Sequence, residues 1–426
     1  ATNVETKLAE YVSVKDFGAA GDGVTDDTAA IQAAITASVG ASLIIPVGTY
    51  LVNGIDLNTA CKIVCDPGAI IYLKNSSNAS AVTISAANAS WDNGTIEGNQ
   101  ANQSATSHGI EITAANVKVS NATIQNAYSY GIYSVNASNT QIFDNYVLNS
   151  QSIGIFVDCT TGTITNCVIR GNRVDRSSLP ITLSEGGIKV HGVVGVATVY
   201  KPQIIGNRVS LPSGATTPAA ICIELAQQCS RGVISSNATD GGNMGISVDT
   251  SPSSTVVGNT VFNATTNGIE SAASAEMVIS GNSVDQNSVG SYGIQCSGSA
   301  GSGDNPAISG NTLLNCTNRG IKLVSVSGAA INGNTIIQPS GASGIEFNSS
   351  PNNGCSGNTI RGGSSAYYLD SSPYISVVGG MVKNTSDALL YFAGTWTASN
   401  ITVDSVAAQS VTANFKKGAG VTLGLS

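Results

Sequence analysis

The sequence predicts an all-β solenoid of stacked parallel strands, and three observations carry that prediction. Two short phrases recur, most of them 22 to 27 residues apart. The stretches between them alternate apolar and polar residues with period two. Gly, Asn and Ser punctuate those stretches, so they read as short strands joined by turns. The first phrase is Gly-Ile opening an alternating run: GIEIT at 109, GIYSV at 131, GIFVD at 154, GIKVH at 187, GISVD at 245, GIESA at 268, GIQCS at 293, GIKLV at 320 and GIEFN at 344, with AICIE at 220 filling the gap after 187. The second is Gly-Asn ahead of a strand: GNRV at 171 and 206, GNTV at 258, GNSV at 281, GNTL at 310 and GNTI at 333 and 357. One such unit cannot bury its apolar positions alone, whereas stacked units share a continuous core. The dense leucines of a leucine-rich repeat are absent, so the expected architecture is a parallel β-helix of about 11–13 coils.

The elements follow in chain order. Residues 14–35, VKDFGAAGDGVTDDTAAIQAAI, carry four aspartates threaded with glycines. A calcium loop would need more alternating oxygen ligands and a Glu near the twelfth position. The simpler reading is a turn followed by a short helix, with Thr25 or Asp26 as N-cap and Ala30, Ile31, Ala34 and Ile35 on one face. Such a helix would cover the open end of the solenoid, whose core and strand edges are otherwise exposed. LIIPVGTYLV at 43–52 then reads as the first strands. Within the coils, the Asn of each Gly-Asn phrase is expected to stack at one turn and satisfy its neighbour's amide. The spacing widens to 33 residues from 154 to 187 and again from 187 to 220, which places extra loops near 175–186 and 192–203, with a third near 211–219. Long insertions in a solenoid collect on one face, often the binding face. The Gly-Ile pattern fades after about residue 375.

Composition limits the function classes. The chain has 426 residues and a net charge of −8, which counts against nucleic acid as a partner. No apolar run approaches the roughly 20 residues of a membrane helix, so no membrane insertion is expected. The nine cysteines show no CxxC pair. They read as buried thiols of a protein that folds in a reducing compartment, with no metal site and no cofactor. The chain has no starting methionine and no signal peptide, so it is read as a segment cut from something longer.

VSVKDFGAAGDGVTDDTAAIQAAI followed by LIIPVGTYLV resembles the N-terminal signature of the pectate-lyase-like right-handed β-helix superfamily. The version opening LAEYVSVKDFGA is similar to bacteriophage tailspikes, the capsule-degrading depolymerases. The signature covers roughly the first 55 residues, and the repeats extend the likeness to about residue 375. The resemblance implies a homotrimer that cleaves a bacterial capsular or surface polysaccharide. It also implies attachment to the phage baseplate or tail through an N-terminal region missing here. The protein would sit in the virion tail, facing the host, after assembly in the bacterial cytoplasm. Residues 1–40 would be linker and capping helix, 41–375 the β-helix with its groove, and 376–426 a closing and trimerisation section. Catalytic residues do not transfer, because these enzymes place their carboxylates differently. No match to the catalytic motifs of pectate lyases or polygalacturonases is present, so pectin is not the expected substrate.

The register of the strands points to a site. In each Gly-Ile strand the Ile faces inward and the next residue outward. Stacking gives a first outward column of Glu111, Tyr133, Phe156, Lys189, Cys222, Ser247, Glu270, Gln295, Lys322 and Glu346, and a second of Thr113, Val135, Asp158, His191, Glu224, Asp249 and Ala272. Asp158, His191, Glu224 and Asp249 would thus lie on consecutive coils beside the oversized ones, as a catalytic groove or as a charged solvated face. Glycoside hydrolysis needs two carboxyls, about 5 Å apart for retention or about 6.5–9.5 Å for inversion. Glu224 with Asp249 fits the first spacing; Glu224 with Asp158 or Glu270 fits the second. Hydrolysis at a carboxylate pair around Glu224 is the leading expectation. The runner-up is a polysaccharide lyase, which needs a base for the proton beside a uronate and a cation or protonated acid against its carboxylate, served by His191 with Lys189 on the same strand. A non-catalytic receptor-binding fibre is the third. Seven of the 18 cations, Arg176 and Lys189 among them, fall between residues 170 and 231, either to attract an anionic sugar or to pair with local carboxylates. Tyr133 and Phe156 are candidates for a sugar-stacking platform, or for packing against a loop or subunit.

Overall fold

The computed structural model describes residues 11–176, 186–212, 220–298, 304–339, 341–394, 401–411 and 413–417. The expected loop at 175–186 and the one at 211–219 lie largely outside them. The chain forms two compact units, residues 1–212 and 213–426. Both are parallel β-solenoids whose coils present three strands, one to each of three sheets. Among the described residues the third sheet holds six strands in the first unit and nine in the second, about 15 turns of fold. The count exceeds the expected 11–13 because several coils lack the Gly-Ile phrase. Val82–Ile84, Ser365–Asp370 and Ala388–Ala393 are such strands, and the last two pair in parallel, which carries the stack beyond residue 375.

The opening stretch is the cap, built differently in detail. Tyr11–Ser13 and a 3-10 turn, Val14–Phe17, lead into the strand Asp22–Asp26, which pairs with Gly48–Val52. Helix α1 spans Thr28–Ala37 and buries Ile31, Ala34 and Ile35. Its N-cap is Asp27, not Thr25 or Asp26, and the Asp27 side chain does not cap it. That carboxylate turns back to accept the Ala20 and Gly21 amides at 2.6 and 2.9 Å. Asp22 accepts from the Val24 and Thr25 amides, and Asp26 pairs with Lys74 at 2.8 Å. All these carboxylates tie the cap together, so the aspartates are structural.

The inward Ile of each Gly-Ile phrase forms the core. Ile132, Ile155 and Ile188 of the first unit and Ile246, Ile269, Ile294, Ile321 and Ile345 of the second are all fully buried. Each such side chain contributes roughly 1.5–3 kcal/mol relative to exposure. The preceding glycine is required by close approach: a Cβ on Gly131 would sit 2.4 Å from a Val147 methyl and 2.6 Å from the Gly154 carbonyl. The Gly-Asn phrases make the expected ladder. Asn259, for example, receives the Asn237 amide on its Oδ1 at 2.9 Å, and its own amide donates to Asn282 Oδ1 at 2.9 Å. Gly258 supplies the φ of +64° that leads into it. All nine cysteines are unpaired and buried, as expected. The loop at 192–203 is largely a further strand, Ala197–Tyr200, paired with Gly162–Thr165.

Candidate functional site

In the first unit the third sheet places Tyr133, Phe156 and Lys189 opposite one another on successive coils, and Asp158 opposite His191. The predicted adjacency of Asp158 and His191 is therefore present. Their side chains meet: His191 Nδ1 lies 2.8 Å from Asp158 Oδ1. A carboxylate oxygen accepts here, so Nδ1 is the donor, and in the neutral ring that tautomer leaves the lone pair on Nε2. The His191 side chain is 25% exposed and Asp158 only 11%, so the ring meets solvent while its partner is sheltered. Tyr133 donates its hydroxyl to the other Asp158 oxygen at 3.4 Å. Burial pushes the Tyr133 phenol well above its ordinary range, and the Asp158 charge adds to the shift. Tyr133 thus holds its proton throughout the neutral range.

An aromatic cluster supports this dyad. Tyr133 packs on Phe156 at 5.5 Å between centroids, and Phe156 on His191 at 6.3 Å. Tyr130 contacts Tyr133 at 5.1 Å, and His108 stacks on Tyr130 at 4.9 Å with the rings 2° from parallel. Both histidines of the chain therefore belong to one cluster. His108 was not singled out from the sequence, yet its signal was there. It precedes Gly109 as Tyr130 precedes Gly131, one coil on.

Burial pushes the His108 pKa down, against a smaller opposing effect of Glu111. Its folded-state pKa thus lies below the unfolded value of about 6.5. The unfolded chain takes up the proton first, so stability present above that value is lost as pH falls through it toward the folded pKa. The urea midpoint of the wild type is expected to fall relative to His108→Gln between about pH 7 and pH 5. The difference cancels Glu270, whose raised pKa acts with the opposite sign. Parallel pH curves for the two proteins would contradict the assignment.

One expectation fails here. Arg176, a predicted sugar contact, is 1% exposed. Its guanidinium donates to the carbonyls of Ser150, Gly186 and Gln151, so it staples coil edges and cannot meet a sugar. Two other arginines of that region, Arg170 and Arg173, lie on other sheets than the dyad, and the local pairing open to this cluster is present at Arg173. Arg170 lies on the first sheet over the Phe143 ring, and Arg173 on the second, paired with Asp175 at 2.9 Å.

In the second unit the register corrects the columns. Glu224 pairs with Ser247 and Ala226 with Asp249. Glu224 thus belongs to the first column, and Ala226 occupies the place predicted for it. Cys222 occupies the glycine position of the phrase, fully buried, and Ile223 aligns with Ile246. The misreading was a slip of two residues, which leaves every side chain on its own face and is invisible to alternation. The corrected column runs Glu224, Ser247, Glu270, Gln295, Lys322, Glu346, Tyr368 and Tyr391. Glu224 and Glu270 stand two coils apart, roughly 9–10 Å along the sheet, with the small Ser247 between them. Burial raises the Glu270 pKa, and the charges of Asp249 and Glu224 add to this. Ser247 and Asn267 donate to its oxygens at 3.5 and 3.1 Å. Farther along, Arg319 pairs with Glu346 and lies over the Tyr368 ring, which stacks on Tyr391 at 5.0 Å. Among the described residues no group of three or more His, Cys, Asp or Glu is arranged to hold a metal ion.

Comparison with known proteins places these features. Residues 11–178 match the family described as rhamnogalacturonase A/epimerase, pectate lyase-like. Residues 165–339 match the periplasmic copper-binding protein NosD, and residues 292–423 match the right-handed beta helix region. Mannuronan C5-epimerase AlgE5 of Azotobacter vinelandii is 60% identical over 45 residues, which are 10% of this chain and 4% of that protein. Among solved structures, the N-terminal fragment of gene product 12 of bacteriophage Phi29 is similar with a TM-score of 0.52 at 16% identity, over 92% of each chain. PfbA, a surface adhesin of Streptococcus pneumoniae, gives 0.51 at 16% identity, over 91% of this chain and 93% of its own. Both share the fold.

Proposed function

We propose that this chain, a β-helix of the pectate-lyase-like superfamily, acts on a polysaccharide by removing the proton beside a uronate carboxylate. The 2.8 Å His191–Asp158 pair carries the reading. Asp158 holds the Nδ1–H tautomer and balances the imidazolium that forms, so His191 Nε2 is the base. The proton on the carbon bearing the carboxylate passes to Nε2, and its electron pair spreads into that carboxylate. The pair then either expels the neighbouring glycosidic oxygen or is reprotonated at carbon from the opposite face. Tyr133, whose hydroxyl shares Asp158 with the base, is the candidate to give a proton to the leaving oxygen. Lys189, two residues from His191 on the same strand, is suited to offset the uronate charge. A pectate lyase-like and epimerase match over residues 11–178 is in keeping with chemistry that begins with this proton transfer.

A second reading has its own observation. Glu270, with its raised pKa, is suited to be a general acid, and Glu224 two coils away to be the base of an inverting hydrolase. The setting of a virion tail facing a bacterial capsule, as a trimer, rests on the tailspike resemblance of the N-terminal signature.

Incubation with purified bacterial capsules and with polyuronates tests the reading. Products absorbing in the ultraviolet, without added water, are expected from elimination; exchange of the uronate proton with solvent deuterium, without cleavage, from epimerisation. Fragments heavier by one water per cut would replace both with the Glu270–Glu224 hydrolase. Binding without any chemical change would favour a receptor-binding fibre.

A further inference from the structure

Within the first unit the second sheet carries a cleft that the dyad does not use. Its volume is about 450 Å³, and it is lined by Tyr72, Glu97, Asn99, Gln100, Ala101 and Asn126. Tyr72 and Glu97 stand side by side as register partners on adjacent coils. The dyad lies on the third sheet, so the two sites occupy different faces of the coil. A volume of this order falls within the range that holds small ligands.

The floor of the cleft is fixed in advance. Glu97 accepts the Asn99 amide at 2.9 Å on one oxygen, and the side chains of Gln125 and Asn126 at 2.8 and 2.9 Å on the other. A carboxylate offers about four acceptor positions, so these three bonds orient Glu97 and still leave one for a ligand hydroxyl. The wall is a 3-10 turn, Gln100–Asn102. It is anchored by the Gln100 amide on the Asn126 carbonyl at 2.9 Å and by Asn99 Nδ2 on the Leu73 carbonyl at 2.9 Å. Beside Glu97, one coil back, stands the half-buried ring of Tyr72. The cleft therefore offers one flat apolar surface, one ionised acceptor and several amides, and no cation lines it.

We propose that this cleft is a binding site for a neutral hexopyranose unit, separate from the dyad. The C–H face of the sugar lies on Tyr72, and adjacent hydroxyls reach Glu97 and the amides of Gln100 and Asn126. A uronate is disfavoured, because its carboxylate would face Glu97 with no cation between them. A polysaccharide of mixed neutral and acidic units would then be held at one face through its neutral sugars and altered at another through its uronates.

Saturation-transfer NMR on the whole chain tests this with methyl glucopyranoside, galactopyranoside and mannopyranoside, and with methyl glucopyranosiduronate as the charged counterpart. At least one neutral glycoside is expected to receive saturation on its ring C–H protons. Tyr72→Ala should lose the signal, Tyr72→Phe should keep it, and Glu97→Gln should weaken it. Gln100→Ala, an alteration of the wall alone, should weaken it even if the Tyr72 variant fails to fold. Absence of transfer to every neutral glycoside, an unchanged signal in Tyr72→Ala and Gln100→Ala, or equal binding of the uronate would each overturn the proposal. His191→Ala should leave the signal untouched, so failure here is distinct from failure of the proton-transfer reading.

Discussion

His191→Ala is expected to lower turnover of the uronate polysaccharide roughly 10²–10⁴-fold, the usual contribution of a placed general base. Asp158→Asn should approach the same loss for a different reason. The Asn side chain would keep the volume and one hydrogen bond, yet it would no longer enforce the Nδ1–H tautomer or balance the imidazolium. Tyr133→Phe removes the hydroxyl that reaches Asp158 at 3.4 Å while keeping the ring in the aromatic cluster. It should reduce cleavage more than exchange of the uronate proton, because only cleavage needs an acid at the leaving oxygen. The assays are ultraviolet absorbance of the products and deuterium incorporation, with far-ultraviolet circular dichroism as the control for folding. Full activity in His191→Ala would end the proton-transfer reading. Loss in Glu270→Gln with activity kept in His191→Ala would move the chemistry to the carboxylates of the second unit.

The largest expected effect on stability belongs to Asn311→Ala. Asn311 is fully buried inside the ladder of the second unit. Its Oδ1 accepts both the amide and the Nδ2 of Asn282, at 3.0 and 2.9 Å. Its Nδ2 donates to the Ile279 carbonyl and to Asn334 Oδ1, at 3.0 and 2.9 Å. Truncation takes its acceptor from the Asn282 backbone amide, one of two acceptors from Asn282 Nδ2, which keeps the Val256 carbonyl, and a donor from the Ile279 carbonyl, in a place that water does not reach. Each such group costs about 1–3 kcal/mol, so a loss on the order of 3–6 kcal/mol is expected. That is a large share of the roughly 5–15 kcal/mol that holds an ordinary domain folded. Coils contact chiefly their neighbours, so the damage should open the stack locally before the whole unit unfolds. Amide exchange would show it as lost protection from about Ile279 to Asn334. Thr260→Ala, at an exposed position two coils away, should stay within about 0.5 kcal/mol. Equal effects of the two substitutions would remove the ladder from the account of stability.

Much of this was legible in the sequence, for identifiable reasons. The Gly-Ile and Gly-Asn phrases encode contacts that every coil repeats, so the core, the ladder and the Asp158–His191 pairing could be read by aligning phrases. The cap was legible because a helical spacing of apolar residues stands next to a strand pattern. What escaped were residues whose role depends on a neighbour in another part of the coil. Arg176 looks like any surface cation until the carbonyls of Ser150, Gln151 and Gly186 close around it. Cys222 replaces a glycine, so the phrase was sought two residues too early. Ser365–Asp370 and Ala388–Ala393 bury their side chains without a Gly-Ile phrase to announce them.

That two-residue ambiguity has a meaning for how such a protein changes. Gaining or losing two residues at a coil corner keeps every apolar side chain inside, so the fold scarcely registers it. The outward residues, however, move one place along the row, as a register two residues off would set Glu224 beside Asp249 in place of Ser247. A lineage of solenoids can therefore rewrite its surface chemistry through small length changes in loops. Divergence would then be recorded in paired insertions and deletions as much as in substitutions, and aligning relatives by sequence alone would repeatedly place functional residues in the wrong column.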